Sequence, residues 1–165
     1  MNWHLEFERC LDKRWLVRMS ETRHLVEKEL DVARDDLAEA EAGYERGSYK
    51  WSTIQSYYAM FHAARALLYS QEYREKSHYC LSVAMRHLFV SNGVLSERLI
   101  DDMDDARALR EDADYRAKFS PMSAQHNLKA AQRLVERVGQ LLVGWEQKPD
   151  GQSTKRDTPL ETKTD

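Results

Sequence analysis

Helix breakers are almost missing from the body of this chain. It has three prolines and six glycines in 165 residues, and Pro149 and Pro159 both fall in the last stretch. A chain so poor in turn-makers folds into long helices rather than a many-turned β structure. Its length suits one domain with one core. Hydrophobic residues make up 42%, enough for that core, and the 32% charged residues suit solvated helix faces.

The apolar spacing divides the chain. Trp3, Phe7, Leu11 and Trp15 recur every fourth residue, which predicts an N-terminal helical extension over residues 1–19. Ser20 stands as a cap for the next helix, with Glu21 in its first turn. Val26, Leu30, Ala33, Leu37, Ala40 and Tyr44 then form a seam that ends at Gly47-Ser48. A third helix, 49–71, is apolar around most of its circumference and belongs in the middle of a bundle. The polar run 72–76 reads as a connection. Ser77 or Lys76 starts a fourth helix, stopped by Ser91-Asn92-Gly93. A charge-dense fifth covers 96–118, and Ser120-Pro121 opens a sixth carrying Leu128, Ala131, Val135, Val138, Leu142 and Trp145. The expectation is an all-α fold: an antiparallel bundle of four to five helices over 20–147, plus the extension. Residues 148–165 hold one large apolar side chain, Leu160, and read as a disordered tail.

A net charge of −3 exerts no general pull on nucleic acid, so any RNA site must be a local basic pocket. The N-terminus carries Glu6, Glu8 and Arg9 and offers no signal-peptide apolar stretch, and no run is long enough for a membrane span. These features place the protein in the cytoplasm, where Cys10 and Cys80 would be reduced thiols. No cofactor or metal motif is present: there is no Gly-rich phosphate loop and no paired-His or paired-Cys ligand spacing. The run Asp101, Asp102, Asp104, Asp105 points in several directions around a helix and reads as a solvated face.

Three groups of residues carry chemistry. Tyr58, His62 and Arg65 are spaced four and three apart, which aims them roughly one way. They read either as a satisfied core or as a pocket able to hold a phosphate. His78 lies at a helix start, where backbone N–H groups favour anions, and imidazole is suited to general base work near neutral pH. Arg107, Arg110, Asp114 and Tyr115 fall within two turns, either as surface pairs or as an ordered polar site against the central helix.

The run Ser56-Tyr57-Tyr58-Ala59-Met60-Phe61-His62-Ala63-Ala64-Arg65-Ala66-Leu67-Leu68, then Lys76-Ser77-His78, then Leu109-Arg110-Glu111-Asp112-Ala113-Asp114-Tyr115 resembles the HEPN family. Glu27-Lys28-Glu29-Leu30 and Ala38-Glu39-Ala40-Glu41 on the preceding helix fit as well, so the resemblance covers residues 25–143. It implies a homodimeric helical bundle. Many members are metal-independent endoribonucleases acting as toxins or defence effectors, and many are paired with a small nucleotidyltransferase antitoxin. In active members an Arg is followed, after four to six intervening residues, by a His. The pair meets its copy across the dimer groove, polarises the phosphate and assists attack by the 2′-hydroxyl.

Here Tyr115 stands where that His is expected. A phenol is a poor general base at neutral pH, although it donates hydrogen bonds well. Arg74 and His78 are one residue short of the spacing and lie on another segment. The resemblance therefore implies a toxin-system protein that acts on or binds RNA, with Arg110, His78 and Tyr115 as catalytic candidates. Tyr58, His62, Arg65 and Asp114 are the substrate-binding candidates. Antitoxins of such pairs can adenylylate a Tyr beside the motif, and Tyr115 fits that place. The alternatives are a non-catalytic binding and dimerisation module for a nucleotide or partner protein, and an adaptor docking through Trp3, Phe7, Leu11 and Trp15.

Overall fold

A computed structural model describes residues 1–144. Its helices are α1 (Trp3–Asp12), α2 (Val26–Glu45), α3 (Tyr49–Ser70), α4 (His78–Met85), α5 (Glu97–Tyr115) and α6 (Pro121–Leu142). The all-α expectation holds, with α3 at the centre against α2, α5 and α6. The extent of α3 follows from its composition: its alanines Ala59, Ala63, Ala64 and Ala66 are fully buried, which lets neighbouring backbones close in.

The turn between α2 and α3 is as the spacing predicts. Gly47 takes a φ of 76°, a left-handed conformation that glycine adopts without steric cost. Beyond the turn the two helices run close together. Ser52 donates to the Ala40 carbonyl at 2.8 Å, and its backbone N lies 3.6 Å from where a Cβ on Gly43 would sit. On the other side of α3, the fully buried Asn127 of α6 donates to the carbonyls of Thr53 (3.3 Å) and Ala106 (3.2 Å). One amide thus joins three helices. The start of α6 is also as read, with Pro121 in its first turn and a reciprocal box in which Ser120 and Ser123 cap each other's backbone N–H.

Several boundaries differ from the sequence expectation. The N-terminal helix stops at Asp12 because Arg14 turns to a φ of 54°, and residues 16–18 become a strand, β1 (Leu16–Arg18). β1 pairs antiparallel with β2 (Tyr73–Glu75) in the register Leu16↔Glu75, Val17↔Arg74 and Arg18↔Tyr73. The stretch expected to be a plain connection is therefore partly a strand. Ser20 does not cap α2; it opens a 3-10 segment, Ser20–Leu25, and α2 begins at Val26. Past α4 the chain continues as a π-helical turn, Arg86–Val90. Trp145 and the tail expected over 148–165 lie outside the described residues.

The extension is part of the core. Phe7, Cys10 and Leu16 are buried, and Trp3 and Leu11 pack against the same cluster. Of the face suggested for an adaptor, Phe7 is buried, Trp3 and Leu11 are partly buried and Trp15 is half-exposed. The expectation of reduced thiols is also corrected: Cys10 of α1 and Cys80 of α4 form a disulfide with a Cα–Cα distance of 5.9 Å. The packing of α1 on α4 brings together two cysteines 70 residues apart.

Candidate functional site

The N-terminus of α4, the middle of α3 and the second half of α5 converge on Arg110. Its guanidinium is buried. It donates to the Tyr58 hydroxyl at 3.2 Å and lies over the rings of Tyr57 (5.4 Å), Tyr58 (5.3 Å) and Tyr115 (5.9 Å). The Asp114 carboxylate stands off at 4.0 Å, and the buried Arg110 Nε has no hydrogen-bond partner among the described residues. Aromatic faces attract a cation but do not replace the hydrogen bonds it had in water.

Beside it, the Tyr57 hydroxyl hydrogen-bonds the Nδ1 of His78, whose ring stacks on Phe61 at 4.7 Å. Ser77 caps α4 through the Cys80 N–H and so sets where His78 enters the site. Burial pushes the His78 imidazole below its ordinary value, and the nearby charges of Arg107, Arg110 and Arg65 push the same way. Burial raises the Tyr57 phenol against the pull of Arg107 and Arg110, so it keeps its proton at neutral pH. With the protonated phenol as donor, His78 Nδ1 is the acceptor of this hydrogen bond. The remaining proton of the neutral imidazole then sits on Nε2. Arg110 and Tyr58 are hydrogen-bonded to each other and the Arg110 charge reaches His78, an arrangement suited to holding an anionic oxygen.

Not every candidate reaches this place. Tyr58, Arg110, Asp114 and Tyr115 lie in it, and His78 joins them through Tyr57. His62 turns instead to α2, where its Nδ1 meets Glu29 at 2.7 Å and its Nε2 lies 3.8 Å from Asp36. Burial raises the Asp36 carboxyl above its usual value, against the lowering effect of His62. Arg65 ties α3 to β2, with its Nε on buried Glu75 at 2.8 Å, and lies over the Phe61 ring at 4.4 Å. The shared direction expected of Tyr58, His62 and Arg65 therefore splits. His62 and Arg65 both reach Glu29 of α2, Arg65 at 3.9 Å while its main partner is Glu75 of the small sheet, and Tyr58 goes to α5.

Tyr57 belongs to the site although its spacing on α3 is that of a core position, which hides it in the sequence. The acid run on α5 is also more than a solvated face. Asp102 is buried and accepts from Arg133 at 3.0 Å, while Asp101 and Asp104 hold the buried Arg86 together with Glu97.

Comparison with known proteins places this arrangement in context. The description of the HEPN domain matches residues 26–142. A Methanocaldococcus jannaschii protein named "Putative toxin MJ0605" is 26% identical over 121 residues, which span 73% of this chain and 90% of that protein. A second from the same organism, "Putative toxin MJ0142", is 28% identical over 92 residues, spanning 56% of this chain and 63% of the relative.

Proposed function

The chain belongs to the HEPN domain family, and on that premise we propose that it is a toxin-type protein that engages RNA by seating a backbone phosphate at Arg110. The observation that carries this reading is the buried, tyrosine-stacked guanidinium with an unsatisfied Nε. A phosphate bound by the guanidinium accepts charge-assisted hydrogen bonds and relieves its under-solvated charge. The charges of Arg107 and Arg110 both act on His78, so the site as a whole favours an anion.

The donor set favours holding RNA over cutting it. Cleavage would need a base for the 2′-hydroxyl, and His78 can serve only if it gives up its Tyr57 bond or exchanges its tautomer. Its lowered pKa keeps it neutral for that role at pH 7, which is why cleavage remains the second reading. The toxin assignment is supported by the names of the two archaeal relatives. A homodimer and a nucleotidyltransferase partner belong to the same proposal. Tyr115, at 76% exposure, is open to modification.

The test is incubation of purified protein with total RNA and tRNA, without metal, with binding and cleavage measured in parallel. Arg110→Ala should lower affinity by roughly tenfold or more, the scale of a lost charge-assisted bond. Cleavage abolished by both Arg110→Ala and His78→Ala would establish the nuclease reading. Binding without cleavage would establish the binding module. A folded wild type that binds no RNA overturns the proposal.

A further inference from the structure

A cavity of about 370 Å3 opens beside the Arg110 site, between α1, α4 and α5. Small-molecule sites run from roughly 300 to 1,000 Å3, so it has room for a single nucleotide. Its walls include Trp3, Tyr79, Arg86, Asp104, Arg107 and Glu111. Arg107 and Glu111 stand on α5 one turn or less from Arg110, and both are near enough for their charges to act on His78. A third wall, Trp3, comes from the extension, which lies outside the matched HEPN segment.

The lining has the chemistry of a base-reading pocket. Trp3 offers a large π surface and is held in place by the Arg86 guanidinium 4.8 Å from its ring. Arg86 is itself fixed by Glu97, Asp101 and Asp104, so the indole rests on an anchored support. Asp104 and Glu111 lie seven residues apart on α5, two turns along one face. Each engages its neighbours through one oxygen: Asp104 Oδ2 meets Ser82 and Arg86, and Glu111 Oε1 meets Arg107. The second carboxylate oxygens are acceptors. They suit a base that presents an exocyclic amino group, and they repel the carbonyl that uracil presents at the same position.

Resting on the RNA reading above, we propose that this cavity is a nucleobase subsite, in which a base flanking the phosphate at Arg110 stacks on Trp3 and donates its amino group to Glu111 or Asp104. The extension then contributes selectivity to a site whose phosphate-holding residues lie on the bundle.

The test is equilibrium binding of fluorescently labelled oligocytidine and oligouridine of equal length, compared as a ratio so that general charge effects cancel. The wild type should prefer oligocytidine by about fivefold or more, the scale of one stacked and read base. Trp3→Ala should weaken oligocytidine alone. Glu111→Gln, an isosteric change at a partly exposed position of α5, should bring the ratio towards one. Arg110→Ala should weaken both oligomers and keep the ratio. Tight, equal binding of both by the wild type, or a ratio unmoved in Trp3→Ala and Glu111→Gln, overturns the subsite and leaves the RNA reading standing. If neither oligomer binds, both fall.

Discussion

Arg110 has given up most of its water for aromatic faces and one phenol, with its nearest carboxylate at 4.0 Å. A buried charge so thinly partnered contributes little to stability, and replacing it with an apolar chain of similar volume is often neutral or favourable. Arg110→Met should therefore leave the urea midpoint unchanged or raise stability by about 1 kcal/mol, while RNA binding is lost. A large destabilisation would mean that the guanidinium is a structural element. His78 makes a pH-dependent contribution. Its folded-state pKa lies below the ordinary 6.5, so protons bind the unfolded chain more readily. Its stabilisation is full above about pH 6.5 and is lost as pH falls from there through the lower folded value. Comparing urea midpoints at pH 7.5 and 5.5 should show a smaller acid loss in His78→Gln than in the wild type. At this scale the sequence was legible wherever a polar residue broke the apolar pattern, as Arg110, His78 and Tyr58 do. Tyr57 could not be separated from Phe61 because both sit at core spacing. The directions of His62 and Arg65 were set by Glu29 and Glu75, acids on other elements whose proximity only the fold creates.

The helices begin and end where local chemistry forces them. Gly47 and the Ser120-Pro121 pair were readable because each satisfies backbone groups with residues adjacent in sequence. The reciprocal Ser120–Ser123 bonds make a clear test: Ser120→Ala should cost about 1 kcal/mol, read from the denaturation midpoint, without altering RNA affinity. What stayed hidden was structure decided by distant partners. The four-residue spacing of Trp3, Phe7, Leu11 and Trp15 persuades up to residue 15, yet Leu16 is paid for its burial by pairing with β2 rather than by one more helical turn. Strands of three residues are too short to show a period of two. Ser20 looks like a cap, but the 3-10 segment after it is tied down by Thr22, which donates to the Tyr69 carbonyl at 3.0 Å from the far end of α3.

Across the molecule, one covalent link joins the extension to the bundle. Closing a loop of 70 residues removes freedom from the unfolded chain, and disulfides of that kind typically contribute roughly 2–4 kcal/mol. The paired variant Cys10→Ala/Cys80→Ala should lose stability on that scale relative to the oxidised protein. Thiol titration of the unfolded wild type should find no free thiol before reduction and two after it. Nothing in two isolated cysteines announces this pairing, because it depends on α1 lying against α4. The small sheet has a practical consequence. β1 supplies the only strand that β2 pairs with among the described residues, and the Phe7 ring meets Tyr73 edge-on at 5.4 Å. A fragment trimmed to the matched segment 26–142 would leave those backbone donors and acceptors bare on an aromatic flank. Bare strand edges recruit one another. The place to cut this gene for expression is therefore upstream of Trp3, and a shorter product would be expected in the pellet rather than the supernatant.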